Sequence, residues 1–377
     1  MHNIPLFKIH ADQADIDAVA EVVKSGANWA LGPEIAEFEK AIAAQVGTTY
    51  ALVFNSGTSA LHALMLAYGF RPPDEVIVPS FSFIATANAP LFVGAKPVFA
   101  EIEETAFGLD SKDIEKKITK STKAIMVIHY AGNPCLIEEI KKIADKYGLI
   151  LIEDAAGSLG AKVGSKNVGT FGDAAAFSFC GPKVIAIGEG GAVVTNNKEI
   201  FEKLKLIRSH GRQETADYFS SAEYMDYISL GYNFRMSSMA AALGLSQLKK
   251  IDTFIAARRK NAEYLNAALA SVQEIVTPMA ADNNFPVYQL YTIRVKGGKA
   301  QRDSLKDHLN KKGITAKVYF YPIHLTGFYK KTFHCKAGDL PLTENVSDTV
   351  LTLPMYPGLS HQEMDYITAE IKNFFKT

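Results

Sequence analysis

The chain has 377 residues, 48% of them hydrophobic, which is enough to bury roughly three quarters of the surface its unfolded form exposes. Lys plus Arg and Asp plus Glu number 40 each, so no net field draws the protein to nucleic acid or to an anionic membrane, and anionic ligands must be held by local groups. The three scattered cysteines (Cys135, Cys180 and Cys335) suit neither a disulfide framework nor a zinc site, and no metal is expected.

Residues Met1 to Lys8 lack the basic-then-apolar pattern of a secretory signal, and no window approaches the ~20 apolar residues of a membrane span. The expectation is a protein of the reducing cytoplasm. Short apolar runs then alternate with helical patterns. Tyr50 to Phe54 reads as a buried strand followed by a helix from Ser59 to Tyr68. Glu75 to Val78, Pro97 to Phe99, Ala124 to Ile128 and Leu149 to Ile152 read as further strands, with helices at Ile84 to Val93 and about Leu136 to Tyr147. Apolar runs of this length separated by helices predict a mostly parallel sheet covered on both faces. Ala174 to Phe179 and Gly191 to Thr195 are two more strands, closer together and suited to antiparallel pairing. The pattern changes after the stretch Tyr218 to Tyr232. One long helix is predicted from Ser237 to about Leu269, then a strand at Tyr288 to Val295 and a helix from Gln301 to Lys312. A strand at Thr315 to Tyr319 and a closing helix from Gln362 to Phe375 complete the chain. This divides the α/β chain into a large domain of residues 1–250 and a smaller α+β domain of residues 251–377.

The chemistry centres on Lys183, in Ser178-Phe-Cys-Gly-Pro-Lys183 ahead of Gly188-Glu-Gly-Gly191. About thirty residues upstream, Glu153-Asp154 ends an apolar run. An amine for an aldehyde, a hydroxyl five residues before it and an acid at a buried strand end suit pyridoxal 5'-phosphate (PLP). The acid would keep the cofactor's ring nitrogen protonated, so that the ring can accept electrons from a carbanion. Asn55-Ser-Gly-Thr58 follows a strand and opens a helix, where free N–H groups favour a phosphate. The same four residues also make an ordinary helix cap. Ligands collect at the carboxyl ends of parallel strands, which favours a functional Asp154 over a hydrogen-bonded strand-end acid.

These segments stand among many others: Leu31-Gly-Pro33 with Phe38-Glu39, Ser56-Gly-Thr-Ser-Ala-Leu-His62, Asp74-Glu-Val-Ile-Val-Pro79, Gly94-Ala-Lys-Pro-Val-Phe99, His129-Tyr-Ala-Gly132, Gly231-Tyr-Asn-Phe-Arg-Met236 and Leu353-Pro-Met355. In this order they resemble the nucleotide-sugar aminotransferases of the DegT/DnrJ/EryC1/StrS family over essentially the whole chain. The resemblance implies the fold of aspartate aminotransferase, called fold type I, and a homodimer. It implies that Lys183 carries PLP as a Schiff base and later shuttles a proton, while Asp154 pairs with the ring nitrogen and Phe83 stacks on the ring. Gly57, Thr58 and Ser178 would bind the phosphate, joined by Asn233 from the neighbouring subunit. Glutamate would convert PLP to pyridoxamine phosphate, which then aminates a nucleotide-linked keto sugar.

Two residues depart from the family's pattern. Gly157 stands where relatives usually carry Gln, Glu or His beside the cofactor, so that contact is missing or replaced by water. Pro182 stiffens the approach to Lys183. Phe177-Ser-Phe and Leu353-Pro-Met-Tyr-Pro-Gly-Leu-Ser360 look most like members that aminate sugar C4, for surface polysaccharide or glycan synthesis. The alternatives are amination at C3, a PLP-dependent sugar dehydratase, or a catalytically silent PLP-binding regulator. Lys183 argues against the dehydratases that replace it by histidine, and no basic DNA-binding module accompanies the chain.

Overall fold

The structure is a computed structural model that describes residues 3–213 and 221–376. In chain order the first strands are β1 (Tyr50–Phe54), β2 (Glu75–Pro79), β3 (Lys96–Ala100), β4 (Thr122–Ile128) and β5 (Ile150–Asp154). A small ribbon, β6 (Lys162–Val163) and β7 (Lys166–Asn167), precedes β8 (Ala174–Ser178) and β9 (Gly191–Thr195). Seven of these strands make one sheet in the order β1-β9-β8-β5-β4-β2-β3. Only β9 runs against its neighbours β1 and β8; every other adjacent pair is parallel.

Alternation of side chains sends the sheet's apolar residues to both faces. In β5, Ile152 packs with the helices Gly57–Ala67 and Ala85–Leu91, whereas Leu151 packs with Ile137–Tyr147. Both faces are therefore dry, and the polar chemistry is confined to strand ends and the loops beyond them.

The later strands are β10 (Ile275–Val276), β11 (Asn284–Phe285), β12 (Tyr291–Val295) and β13 (Val350–Leu353). A three-stranded sheet, β10-β12-β13, packs with the helices Ile251–Leu269, Gly298–Lys311 and His361–Lys376. The first described residues join this second core, because Ile4 is buried in it and bridges to Ile314. No helix among the described residues is long and apolar enough to cross a membrane.

Three expectations need correction. The long helix is two, Ser238–Leu248 and Ile251–Leu269, because Lys250 leaves helical geometry (φ −104°, ψ 1°). Its ammonium is drawn to Asp12 (2.8 Å) and Asp15 (2.7 Å) at the start of the helix Gln13–Ser25. The segment Thr315 to Tyr319 forms no strand; its contribution is a single bridge between Lys317 and Thr352. The strand expected from Tyr288 begins at Tyr291, since Tyr288 has φ 47° and cannot continue a ladder. Of the transitional stretch Tyr218 to Tyr232, Tyr218, Phe219 and Ser220 lie outside the described residues. Six α-helices escaped the sequence reading: Gln13–Ser25, Pro33–Val46, Ser111–Lys117, Lys198–Arg208, Gly327–Phe333 and Pro341–Thr349.

Candidate active site

Beyond the carboxyl ends of β1, β4, β5 and β8 lies a cavity of about 330 Å³. Gly57, Thr58, Phe83, Asp154, Gly157, Ser178 and Lys183 all line it, drawn together from segments over a hundred residues apart. The far wall comes from Gln289, Leu290, Tyr319 and Phe320, which sequence reasoning did not single out. Tyr130 ties that wall to the sheet, donating its hydroxyl hydrogen to the Tyr319 carbonyl oxygen.

Asp154 ends β5 and is 4% exposed. Thr86, in the helix beneath, donates to Oδ2 (2.6 Å), and the Ala156 N–H donates to Oδ1 (3.2 Å). Burial pushes the carboxyl's pKa up, although the Thr86 hydroxyl, the charge of Lys183 and the Ala156 N–H pull the other way. Among the described residues no cation forms an ion pair with it. A buried acid held in place but not neutralised is a site for a cation brought by a ligand.

Lys183 follows a tight turn in which its own N–H donates to the Cys180 carbonyl (3.0 Å). Pro182 within that turn fixes the approach. The Lys183 ammonium makes no hydrogen bond or ion pair among the described residues, which leaves the amine available in the cavity.

The phosphate cradle is set by Ser56, which caps the helix Gly57–Ala67 by accepting from the Ser59 N–H (3.0 Å). The N-terminal N–H groups of that helix therefore face the cavity beside Ser178. Glycine fits closely here: a Cβ at Gly57 would stand 2.9 Å from the Ser178 Cβ, so Ser178 would have to shift. At the rim, Phe83 lines the cavity and is 58% exposed, which leaves its ring accessible to a flat ligand.

Two sequence-predicted positions behave differently. Gly157 does line the cavity, but its vacancy is not empty, since the Gln289 amide stands against it. Asn233 is exposed and does not line this cavity; its carbonyl accepts from the Asn55 side chain (3.3 Å), next to the cradle.

The arrangement thus provides an amine, a buried acid, an anion cradle at a helix N-terminus and an aromatic face. These are the groups that would hold the amine-reactive aldehyde, ring nitrogen, phosphate and ring of PLP, so the residues fit that cofactor. No cluster of three or more potential metal ligands occurs among the described residues.

The comparisons with known proteins point the same way. Residues 10–372 match the model of the DegT/DnrJ/EryC1/StrS aminotransferase family. GDP-perosamine synthase of Caulobacter vibrioides is 35% identical over 98% of this chain and 99% of its own. The dTDP-3-amino-3,4,6-trideoxy-alpha-D-glucose transaminase of Streptomyces venezuelae is 36% identical over 93% of this chain and 89% of its own. Among solved structures, the aminotransferase PseC of Helicobacter pylori, involved in pseudaminic acid biosynthesis, superposes with a TM-score of 0.93. It shares 32% identity, with 99% of each chain covered. DesV of S. venezuelae, solved with a ketimine intermediate, gives a TM-score of 0.92 at 32% identity, with 100% of each chain covered.

Proposed function

Because the chain belongs to the DegT/DnrJ/EryC1/StrS family of PLP-dependent sugar aminotransferases, which have fold type I, we propose that it moves an amino group from glutamate to the C4 keto group of a nucleotide-linked deoxy sugar. The product would be an amino sugar for surface polysaccharide or glycan synthesis in the cytoplasm. One observation carries the assignment of roles: Lys183 and Asp154 line the same cavity, with the charge of the first acting on the second.

When bound, PLP supplies the aldehyde that condenses with amines and the ring that accepts electrons from the reacting carbon. Lys183 anchors the aldehyde and, once released, moves a proton between the substrate carbon and the cofactor's C4′. Asp154 holds a proton on the ring nitrogen, with Thr86 fixing the carboxylate. Gly57, Thr58 and Ser178 bind the phosphate, and Phe83 covers the ring. Asn233 reaches the phosphate of a second copy of the chain. Its exposure, together with that of Tyr224, Tyr227, Ile228 and Leu230 just before it, supports a homodimer with shared sites.

Amination at C4 rests on the Leu353 to Ser360 segment and on the 35% identical UDP-4-amino-4,6-dideoxy-N-acetyl-beta-L-altrosamine transaminase of Campylobacter jejuni. The S. venezuelae relative keeps C3 as the second reading. Offered a panel of UDP-, GDP- and dTDP-linked 4-keto and 3-keto sugars, purified protein loaded with PLP should convert a 4-keto member to an amino sugar, detected by mass, with glutamate consumed. Conversion confined to 3-keto sugars would move the position to C3. A bound cofactor with no turnover on any keto sugar would indicate a silent binder.

A further inference from the structure

Gly157 follows Asp154 by three residues, and nothing in its backbone demands glycine, since its φ is not positive. A Cβ built there would meet Gln289 Oε1 at 2.9 Å, Cδ at 3.4 Å and Cγ at 3.5 Å. The three nearest atoms all belong to one side chain. Gln289 and a side chain at 157 therefore compete for the same volume, and Gln289 occupies it.

Gln289 is not a loose occupant. It is 6% exposed, and its Nε2 donates to the Pro182 carbonyl (2.8 Å), directly before Lys183. Its backbone is clamped by the buried Arg258, whose Nη1 donates to the carbonyls of Tyr288 (3.2 Å), Gln289 (3.3 Å) and Met355 (3.1 Å). The amide thus runs from a rigid anchor outside the large sheet to the turn that presents the lysine. Its Oε1 accepts no hydrogen bond among the described residues, so the side chain's one protein bond goes to that turn.

We propose that Gln289 is a positioning residue for Lys183, filling the volume that Gly157 leaves free and holding the Pro182 carbonyl so that the amine enters the cavity at a fixed angle. This rests on Lys183 being the lysine that carries PLP. With the bond lost, the turn gains freedom and Lys183 meets the cofactor's aldehyde less often in the productive geometry. A single neutral hydrogen bond corresponds to a three- to tenfold change, roughly, in an equilibrium constant.

The test uses the full-length holoprotein and four variants: Gln289→Ala, Gln289→Glu, Gly157→Gln and the double variant Gly157→Gln/Gln289→Ala. Three quantities are read: the PLP dissociation constant, the pH midpoint of the visible absorption band of the Lys183-linked cofactor, and kcat against KM. Gln289→Glu keeps the volume but, when ionised, cannot donate to Pro182. It is expected to share the defect of Gln289→Ala: PLP held about three- to tenfold more weakly, a displaced pH midpoint, and kcat lowered with KM for the sugar nearly constant. Gly157→Gln alone should also be impaired, because two side chains then contend for one space. In the double variant the new glutamine reaches Pro182 from the opposite wall, and much of the loss should be recovered, a strongly non-additive cycle.

A Gln289→Glu protein that matches wild type in all three readouts would overturn the proposal, as would a double variant whose defects simply add. The visible band of Lys183→Ala separates the levels. If Lys183→Ala keeps the wild-type band, the lysine assignment fails and the role of Gln289 falls with it. If the band needs Lys183 and is indifferent to Gln289, only the role of Gln289 falls.

Discussion

At the end of β5 two carboxylates adjoin in sequence and point to opposite faces of the sheet. Glu153 is fully buried and fully employed: it accepts from His129 Nε2 (3.0 Å), Gly169 N–H (2.7 Å), Phe171 N–H (2.8 Å) and Gly172 N–H (2.7 Å). His129 Nδ1 accepts the Cys135 N–H (3.2 Å), so the ring proton sits on Nε2 and is donated to Glu153. Burial acts against ionisation of Glu153, but the bond from His129 and the N–H groups outweigh it and hold its pKa below the ordinary value. Asp154, with only two donors, is pushed the other way. One carboxylate is spent on the fold, while its neighbour keeps capacity for a cation. Similar burial hides opposite roles, and the count of hydrogen bonds separates them.

Asp154→Asn gives the largest contrast. Turnover should fall about a hundredfold or more, the scale seen when one preorganised electrostatic group is removed. The cofactor-free protein should melt no lower than wild type, because the variant removes a carboxylate that burial penalises. Near-normal turnover would break the comparison.

Glu153→Gln should invert that result. Each of its bonds to the ionised carboxylate is a strong one, and an amide turns an NH₂ towards N–H donors. The fold should lose about 3 kcal/mol in denaturant unfolding, with turnover per folded molecule little changed. The pH dependence carries the same signature. The stability Glu153 supplies is present above its unfolded pKa and is lost as pH falls through its depressed folded value, below the ordinary carboxylate range. Asp154 contributes the opposite slope without cofactor: stability declines as pH rises from the ordinary aspartate value through its raised folded value. Acid melts of the two variants should therefore diverge from wild type in opposite directions.

Subunit mixing extends the comparison to Asn233. Lys183→Ala and Asn233→Asp, each inactive alone, should regain about a quarter of wild-type activity on equal mixing and subunit exchange, since hybrid dimers carry one intact site. No recovery after demonstrated exchange would place Asn233 outside the partner's site. The smallest effect is expected from Gly57→Ala, which crowds Ser178 and should weaken PLP binding about tenfold without abolishing it, as measured by titration of the visible band.

Most of the large sheet was legible because its strands are short apolar runs with turns between them. Tyr50 to Phe54 and Gly191 to Thr195 are read to the residue. The helix break at Lys250 was not, because the helical pattern runs through it and the acids that pair with Lys250, Asp12 and Asp15, lie some 240 positions earlier. Thr315 to Tyr319 has a strand's composition but only one bridge to a partner, and pairing is a tertiary fact. Lys183, Asp154 and Ser178 stood out through spacing, and Phe83, Gly57 and Thr58 through a known pattern. Gln289 had no such signal: Gly157 revealed a vacancy, while its occupant comes from 132 positions away. Thr86 likewise lies 68 positions before the carboxylate it holds.

The most direct measurement is borohydride reduction of the PLP-loaded protein, followed by proteolysis and mass mapping of the fixed cofactor. The expected result is one modified peptide, carrying the label on Lys183, and none from Lys183→Ala. Label on any other lysine, or a visible band that survives in Lys183→Ala, would contradict the assignment of this cavity as the site where the amino group is transferred.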